Sequence, residues 1–231
     1  MSPSNLEILA YESSPLGDLC LRRRELLSHP GTVVTEITLD HEFLMSSFHT
    51  DSERALARVA TEMHGGEELD AMVGGLGLGY TAQAVLSAEN VSRVEVVDLL
   101  PQVIQWLQQD MFPLSKELRA DSRFHAVQGD VYARLASPPE AHHDLILIDV
   151  DHSPDDRLDR GPGHFYTEEG LLKAKQHLKP GGILGVWSYA ESSDFADALR
   201  ASFKQVRVEP VTFFNIHVNE EQTDWLFFAR D

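Results

Sequence analysis

The chain has a single cysteine, Cys20, so it can form no internal disulfide, and that usage points to a reducing compartment. It has no apolar run near the ~18 residues that a membrane-spanning helix needs, and no stretch reads as a secretory signal. A cytoplasmic chain is therefore expected. Positive charge is scarce: 19 Lys and Arg stand against 37 Asp and Glu, a net charge of -18 at pH 7. Repulsion of that size opposes docking on phosphate backbones and anionic lipids, so neither nucleic acid nor a membrane is an expected partner, whereas small cations are attracted. The triphosphate cradle G-x-x-x-x-G-K-[ST] is missing too. The 11 histidines show no zinc spacing, and the adjacent His142 and His143 should point to opposite sides of a strand, so no metal is expected.

What is present is an alternation of strand and helix, and 231 residues suit one α/β domain with a small appendage. In the first part, Leu6 to Tyr11, Leu19 to Arg23 and Val33 to Leu39 read as short strands broken by Ser14-Pro15-Leu16-Gly17 and His29-Pro30-Gly31. Residues 1–48 are read as a small β appendage and 49–231 as the main domain. Arg22-Arg23-Arg24 in the appendage reads as a solvated strand face, ahead of a phosphate or carboxylate contact. Helical spacing of Leu56, Val59, Ala60 and Met63 predicts a helix from Asp51 to His64, capped by Thr50 or Asp51. Strands are expected at Leu69 to Val73, Arg93 to Val97, Phe124 to Gln128, Leu145 to Ile148 and Ile183 to Trp187. Continuous apolar runs such as Leu145-Ile146-Leu147-Ile148 suit a parallel sheet covered on both faces. Val206 to Phe214 and Trp225 to Ala229 are separated by too few residues for a crossover helix, which predicts an antiparallel hairpin at the sheet edge.

The chemistry concentrates where the first of these parallel strands ends. Leu69-Asp70-Ala71-Met72-Val73 runs into Gly74-Gly75-Leu76-Gly77-Leu78-Gly79, and a helix from Thr81 to Ser87 follows directly. Glycines allow a sharp turn and close approach to a ligand, while the helix start presents unpaired N–H groups. Counting from Gly75, Tyr80 occupies the third glycine position of the dinucleotide pattern G-x-G-x-x-G, whereas G-x-G-x-G at Gly75, Gly77 and Gly79 fits. Methyltransferase-like folds use such a loop around the amino-acid end of S-adenosylmethionine. About 20 residues on, Asp98 ends the next strand, where a carboxylate can accept hydrogen bonds from ribose hydroxyls. Asp130 follows the third strand and is suited to an adenine amino group. Asp149 and Asp151 follow the fourth; a helix cap is about as common a role for any one such acid, but their joint placement after successive strands favours a site.

In order along the chain these segments resemble the polyamine aminopropyltransferases, of which spermidine synthase is the type. Val73 to Gly79 is similar to that family's I-G-G-G-x-G-G loop, and Val97-Asp98-Leu99-Leu100-Pro101-Gln102-Val103-Ile104 to its V-E-I-D-x-x-V-I strand end. Gly129-Asp130 matches its G-D-[AG] turn, Asp144 to Asp149 the strand before D-[ST]-[ST]-D-P, and Phe165-Tyr166-Thr167 with Lys179-Pro180-Gly181-Gly182 two later segments. The resemblance implies an α/β, methyltransferase-like Rossmann sheet with a C-terminal antiparallel hairpin and the small N-terminal β appendage. It implies decarboxylated S-adenosylmethionine, or S-adenosylmethionine, as donor and a small cationic amine as acceptor, in a homodimer. Asp98 would then hold the ribose, Asp130 the adenine and Asp149 the attacking amine as its proton acceptor, with Asp151 and Tyr166 beside the acceptor.

The departures fall where the acceptor should bind. Leu44 replaces the family's Gln, His49-Thr50 its Asp-Glu, Glu53-Arg54-Ala55 its Tyr-His-Glu, and Leu100 the second acid of the ribose strand. Methyl transfer to a small molecule is the runner-up reading, followed by a non-catalytic nucleotide-binding relative. Asp149-Val150-Asp151-His152 also resembles the strand end of cation-dependent O-methyltransferases, but Trp187-Ser188-Tyr189 stands where those enzymes need an Asp-Asn pair.

Overall fold

In a computed structural model of the chain, the described residues are 6–150, 154, 164–215 and 219–231. The first 46 residues contribute four strands, β1 (Leu6–Ser14), β2 (Gly17–Glu25), β3 (Val33–Leu39) and β4 (Glu42–Ser46), which form one antiparallel sheet in sequence order. The strand β4 was not anticipated; Asp40 and His41, both at positive φ, make the tight turn that folds it back on β3. Helix α1 (Asp51–His64) has the expected bounds, but its N-cap Thr50 makes no side-chain cap bond.

The remaining elements are β5 (Leu69–Gly74), α2 (Tyr80–Leu86), β6 (Val91–Asp98), α3 (Pro101–Gln108), α4 (Ser115–Ala120), β7 (Phe124–Gln128), α5 (Val131–Ala136) and β8 (His143–Ile148). Then follow α6 (Glu168–Lys175), β9 (Leu178–Ser188), α7 (Ser193–Ser202), β10 (Gln205–Asn215) and β11 (Glu220–Arg230). The order in the seven-stranded sheet is β10-β11-β9-β8-β5-β6-β7, parallel except for the terminal hairpin, in which β11 also runs antiparallel to β9. This is the expected methyltransferase-like arrangement. The apolar run in β8 shows why: Leu145 and Leu147 join one core with α1, α2 and α3, while Ile146 and Ile148 join another with α5, α6 and α7. Alternate residues of a strand face opposite ways, so a strand apolar at every position must be covered on both sides.

The small sheet is packed onto the first of these cores through Leu19, Leu21 and Ile37. Two polar contacts tie it to α3: Gln102 Nε2 donates to the Ser13 carbonyl at 3.0 Å, and the buried Trp106 donates through Nε1 to Glu12 Oε1 at 2.7 Å. Trp106 is thus a core residue with a satisfied indole N–H. His143 is buried and paired with Asp70, whereas His142 is exposed, the opposite orientation expected of neighbours on a strand.

The chain leaves β5 for β6 on one side and returns to β8 on the other. Carboxyl ends of strands diverge at such a reversal and leave a crevice. Here Gly75 N donates to the Val97 carbonyl at 2.9 Å and Asp149 N to the Gly74 carbonyl at 2.8 Å, stitching the ends of β6, β5 and β8 together beneath it.

Candidate active site

Above that seam lies a cavity of about 540 Å³, floored by the loop after β5 and roofed by the small sheet. Gly75 has φ +97°, and a Cβ there would collide with the Asp149 carbonyl oxygen, so glycine is what lets β5 and β8 end side by side. At Gly77, with φ +51°, a Cβ would lie 2.7 Å from Met45 Sδ on β4, so the appendage closes directly over the loop. Gly79 is the N-cap of α2.

The cavity brings together Glu53 from the first turn of α1, Asp149 after β8 and Asp224 of β11. Asp149 Oδ2 accepts a hydrogen bond from the Thr81 hydroxyl. Burial raises its carboxyl to about 6; the Thr81 bond opposes the rise and the Asp224 charge adds to it. Ser52 Oγ stands 2.6 Å from Asp224 Oδ2 and 3.1 Å from Glu53 Oε2, and accepts from Trp187 Nε1 at 3.0 Å. A hydroxyl has one proton, so it serves the nearer Asp224 and leaves Glu53 weakly held. Burial, with the charges of Asp149 and Asp224, lifts Glu53 to about 8. Burial raises Asp224 as well, against its bonds from Ser52 and Trp187. Three carboxylates that resist ionising beside one another form a site that a cation relieves.

Sequence reasoning singled out Asp149 but missed the other two acids. Glu53 was read as a departure from a motif. Asp224 carried a usable signal, since it shares the inward phase of Leu226 and Phe228 on β11, where a polar residue is out of place unless it serves a site.

A carboxyl with a raised folded pKa binds its proton more tightly folded than unfolded, so its contribution to stability falls as pH rises between the two values. For Glu53 that window runs from 4.5 to about 8. Glu53→Gln should therefore lose less stability than the unchanged chain between about pH 5 and pH 9, and melt about 2–4 °C higher at the alkaline end. Thermal melts across that range check this; parallel curves would refute it.

The other expected site residues divide. Asp98 is buried at the end of β6, its Oδ2 accepting from Leu76 N at 2.7 Å and its Oδ1 from Leu100 N at 2.8 Å. Burial raises its pKa against these bonds and one from Gly77 N. It thus clamps the glycine loop from below, leaving only part of its accepting capacity for a ribose. Asp130 is the N-cap of α5, with Oδ1 accepting from Tyr132 N at 2.9 Å and Ala133 N at 3.1 Å. Neither Asp98 nor Asp130 lines the cavity. Tyr166 does not line it either: it packs edge-on against Phe195 and shares a 2.6 Å hydroxyl contact with Tyr132, among α5, α6 and α7. Asp151 lies outside the described residues.

One expectation is corrected. Arg22 and Arg24 are not a solvated strand face: both bind the buried Glu36 of β3, with Arg22 Nε at 2.8 Å and Arg24 Nη2 at 2.7 Å, and all three line the cavity. Registry explains it. Arg22 pairs directly with Glu36 across β2 and β3, and Arg24 follows on the same face, whereas Arg23 points away to Glu7.

No protein-family model matches the sequence. The chain is 30% identical over 148 residues to polyamine aminopropyltransferase 2 of Pseudomonas aeruginosa, a match covering 61% of this chain and 41% of that protein. It is 27% identical over 124 residues to polyamine aminopropyltransferase 2 of Streptomyces coelicolor, covering 53% of this chain and 22% of that one. These matches span less than half of either relative's length. Spermidine synthase from Thermotoga maritima superposes with a TM-score of 0.72 at 18% identity, over 96% of this chain and 72% of that one. A spermidine synthase in complex with the transition state analogue AdoDATO gives a TM-score of 0.73 at 19% identity, over 96% and 73%. With seven strands in methyltransferase-like order and a four-stranded sheet roofing the crevice, the chain has the fold of spermidine synthase, and in sequence it resembles the polyamine aminopropyltransferases.

Proposed function

We propose that this chain transfers an aminopropyl group from decarboxylated S-adenosylmethionine to a small cationic amine. The observation that carries the reading is the meeting of Glu53, Asp149 and Asp224 in one cavity with the glycine loop. The loop at Gly75, Gly77 and Gly79 would seat the donor, with Asp98 and Asp130 toward its ribose and adenine; the acids would hold the ammonium of the acceptor beside the sulfonium. Two cationic ligands repel each other, and three carboxylates offset that repulsion.

In the transfer, the amine nitrogen forms a bond to the carbon next to sulfur. The carbon–sulfur bond breaks, its electron pair stays on sulfur as the thioether of methylthioadenosine, and the nitrogen loses a proton. Asp149 takes that proton in this reading, supported by a carboxyl raised from 3.8 to about 6, which accepts it more readily than an ordinary one. Asp151 is assigned to the acceptor on the family resemblance alone; Tyr166, engaged with Tyr132 and Phe195 outside the cavity, is not. A homodimer in the cytoplasm completes the proposal; the edge strand β1 exposes Leu6, Ile8 and Tyr11, an apolar row suited to a second copy. Among the described residues, no helix is long and apolar enough to cross a membrane.

Incubation with decarboxylated donor and a panel of diamines should release methylthioadenosine and an aminopropylated amine, seen by mass spectrometry. S-adenosylhomocysteine from intact donor, with no aminopropyl product from any amine, would assign methyl transfer instead. In the same preparation Asp98→Ala should weaken methylthioadenosine about 10- to 100-fold by calorimetry, the cost of charge-assisted hydrogen bonds and of the loop they hold. Unchanged affinity would remove Asp98 from the donor site.

A further inference from the structure

The cavity is not uniformly acidic. Arg22 and Arg24 line it on the side of the small sheet, with side chains 31% and 28% exposed, while the Glu36 carboxylate between them is fully buried. A buried carboxylate needs a partner, but one arginine neutralises it. The second leaves a local charge of about +1, inside a chain whose net charge is -18. Arg22 spends its Nε on Glu36, and its Nη groups have no protein partner among the described residues. Arginine presents fixed, parallel N–H donors that match a carboxylate in two-point geometry.

A ligand positive along its whole length would satisfy Glu53, Asp149 and Asp224 and be repelled by this pair. We propose that the ligand set of the cavity includes a carboxylate, held by Arg22 and Arg24, as well as the ammonium held by the acids. The inference rests on the transferase reading of this cavity and narrows its substrate class. With a decarboxylated donor the bearer is the acceptor, an α-amino acid with a side-chain amine; an intact S-adenosylmethionine donor is the rival bearer that the test separates.

Matched ligands that differ by one carboxylate test it. The acceptor pair is 1,4-diaminobutane and ornithine; the donor pair is decarboxylated and intact S-adenosylmethionine. Calorimetry on the unchanged protein should show the carboxylated member of one pair binding about ten-fold more tightly, and that pair identifies the bearer. Arg22→Gln should erase the preference while leaving the carboxylate-free member and methylthioadenosine within about two-fold. Glu36→Gln retains both guanidiniums, so the preference should persist or grow; this variant reads the site even if Arg22→Gln does not fold. Equal binding within both pairs, or Arg22→Gln weakening both members alike, would overturn the assignment and make the triad a structural clamp. The two readings fail separately. Aminopropyl transfer to plain diamines with no carboxylate preference removes the arginine assignment alone. A clear preference with no aminopropyl product from any pair removes the transfer reading alone.

Discussion

Asp149→Asn is expected to lower turnover by about 10²–10⁴-fold while leaving methylthioadenosine affinity within a few-fold, the range set by loss of one positioned proton acceptor. The amide keeps the shape and can still face the Thr81 hydroxyl, but it cannot take a proton from the attacking amine. In the unchanged protein kcat/KM should rise as pH passes about 6, where Asp149 ionises, and this rising limb should vanish in the variant. Steady-state kinetics from about pH 5 to 9, with calorimetry alongside, decides it. A variant that binds nucleotide poorly but turns over normally at saturation would make Asp149 a donor ligand rather than a base.

Gly75→Ala should be the most damaging small change in the loop. Its φ of +97° disfavours any Cβ, and the atom it would strike is the backbone carbonyl oxygen of Asp149, which no side-chain rotation can move away. Relief requires parting the ends of β5 and β8, and with them Gly75 N and Asp149 N from their partners on β6 and β5. We expect a loss of about 3–5 kcal/mol in unfolding free energy, from backbone strain combined with overpacking, and adenosyl-ligand binding weakened beyond about 100-fold. Gly77→Ala provides the comparison. Its obstacle is Met45 Sδ, on a flexible side chain, so the structural loss should be about 1–2 kcal/mol. Denaturant melts of both variants test the ranking; Gly77→Ala proving the more harmful would mean that closure by the appendage, rather than the β5–β8 seam, organises the loop.

The parallel sheet was legible because its physics is local and periodic. Leu145 to Ile148 is apolar at every position, Leu56, Val59 and Ala60 recur with helical spacing, and so few residues link the last two strands that only a hairpin can join them. The glycine loop and the acids at strand ends were legible for the same reason, since they are consecutive in sequence and tied to elements the pattern defines. Strand β4 escaped because Glu42-Phe43-Leu44-Met45-Ser46 lacks clear alternation and becomes a strand by pairing with β3.

What the sequence determined by itself was the fold class and where the glycine loop and Asp149 stand, each at the end of a parallel strand. Tertiary structure alone decided which distant groups meet there. Glu53, Asp149 and Asp224 come from parts of the chain far apart in sequence; burial raises all three, and neighbouring carboxylates add to the rise at Glu53 and Asp149. Registry between β2 and β3 likewise turned Arg22 and Arg24 onto Glu36 and into the cavity, where a strand read alone left them in solvent. Periodicity states which way a side chain points along its own strand. What stands opposite it is set by packing between elements, and charge at a site is a property of that packing.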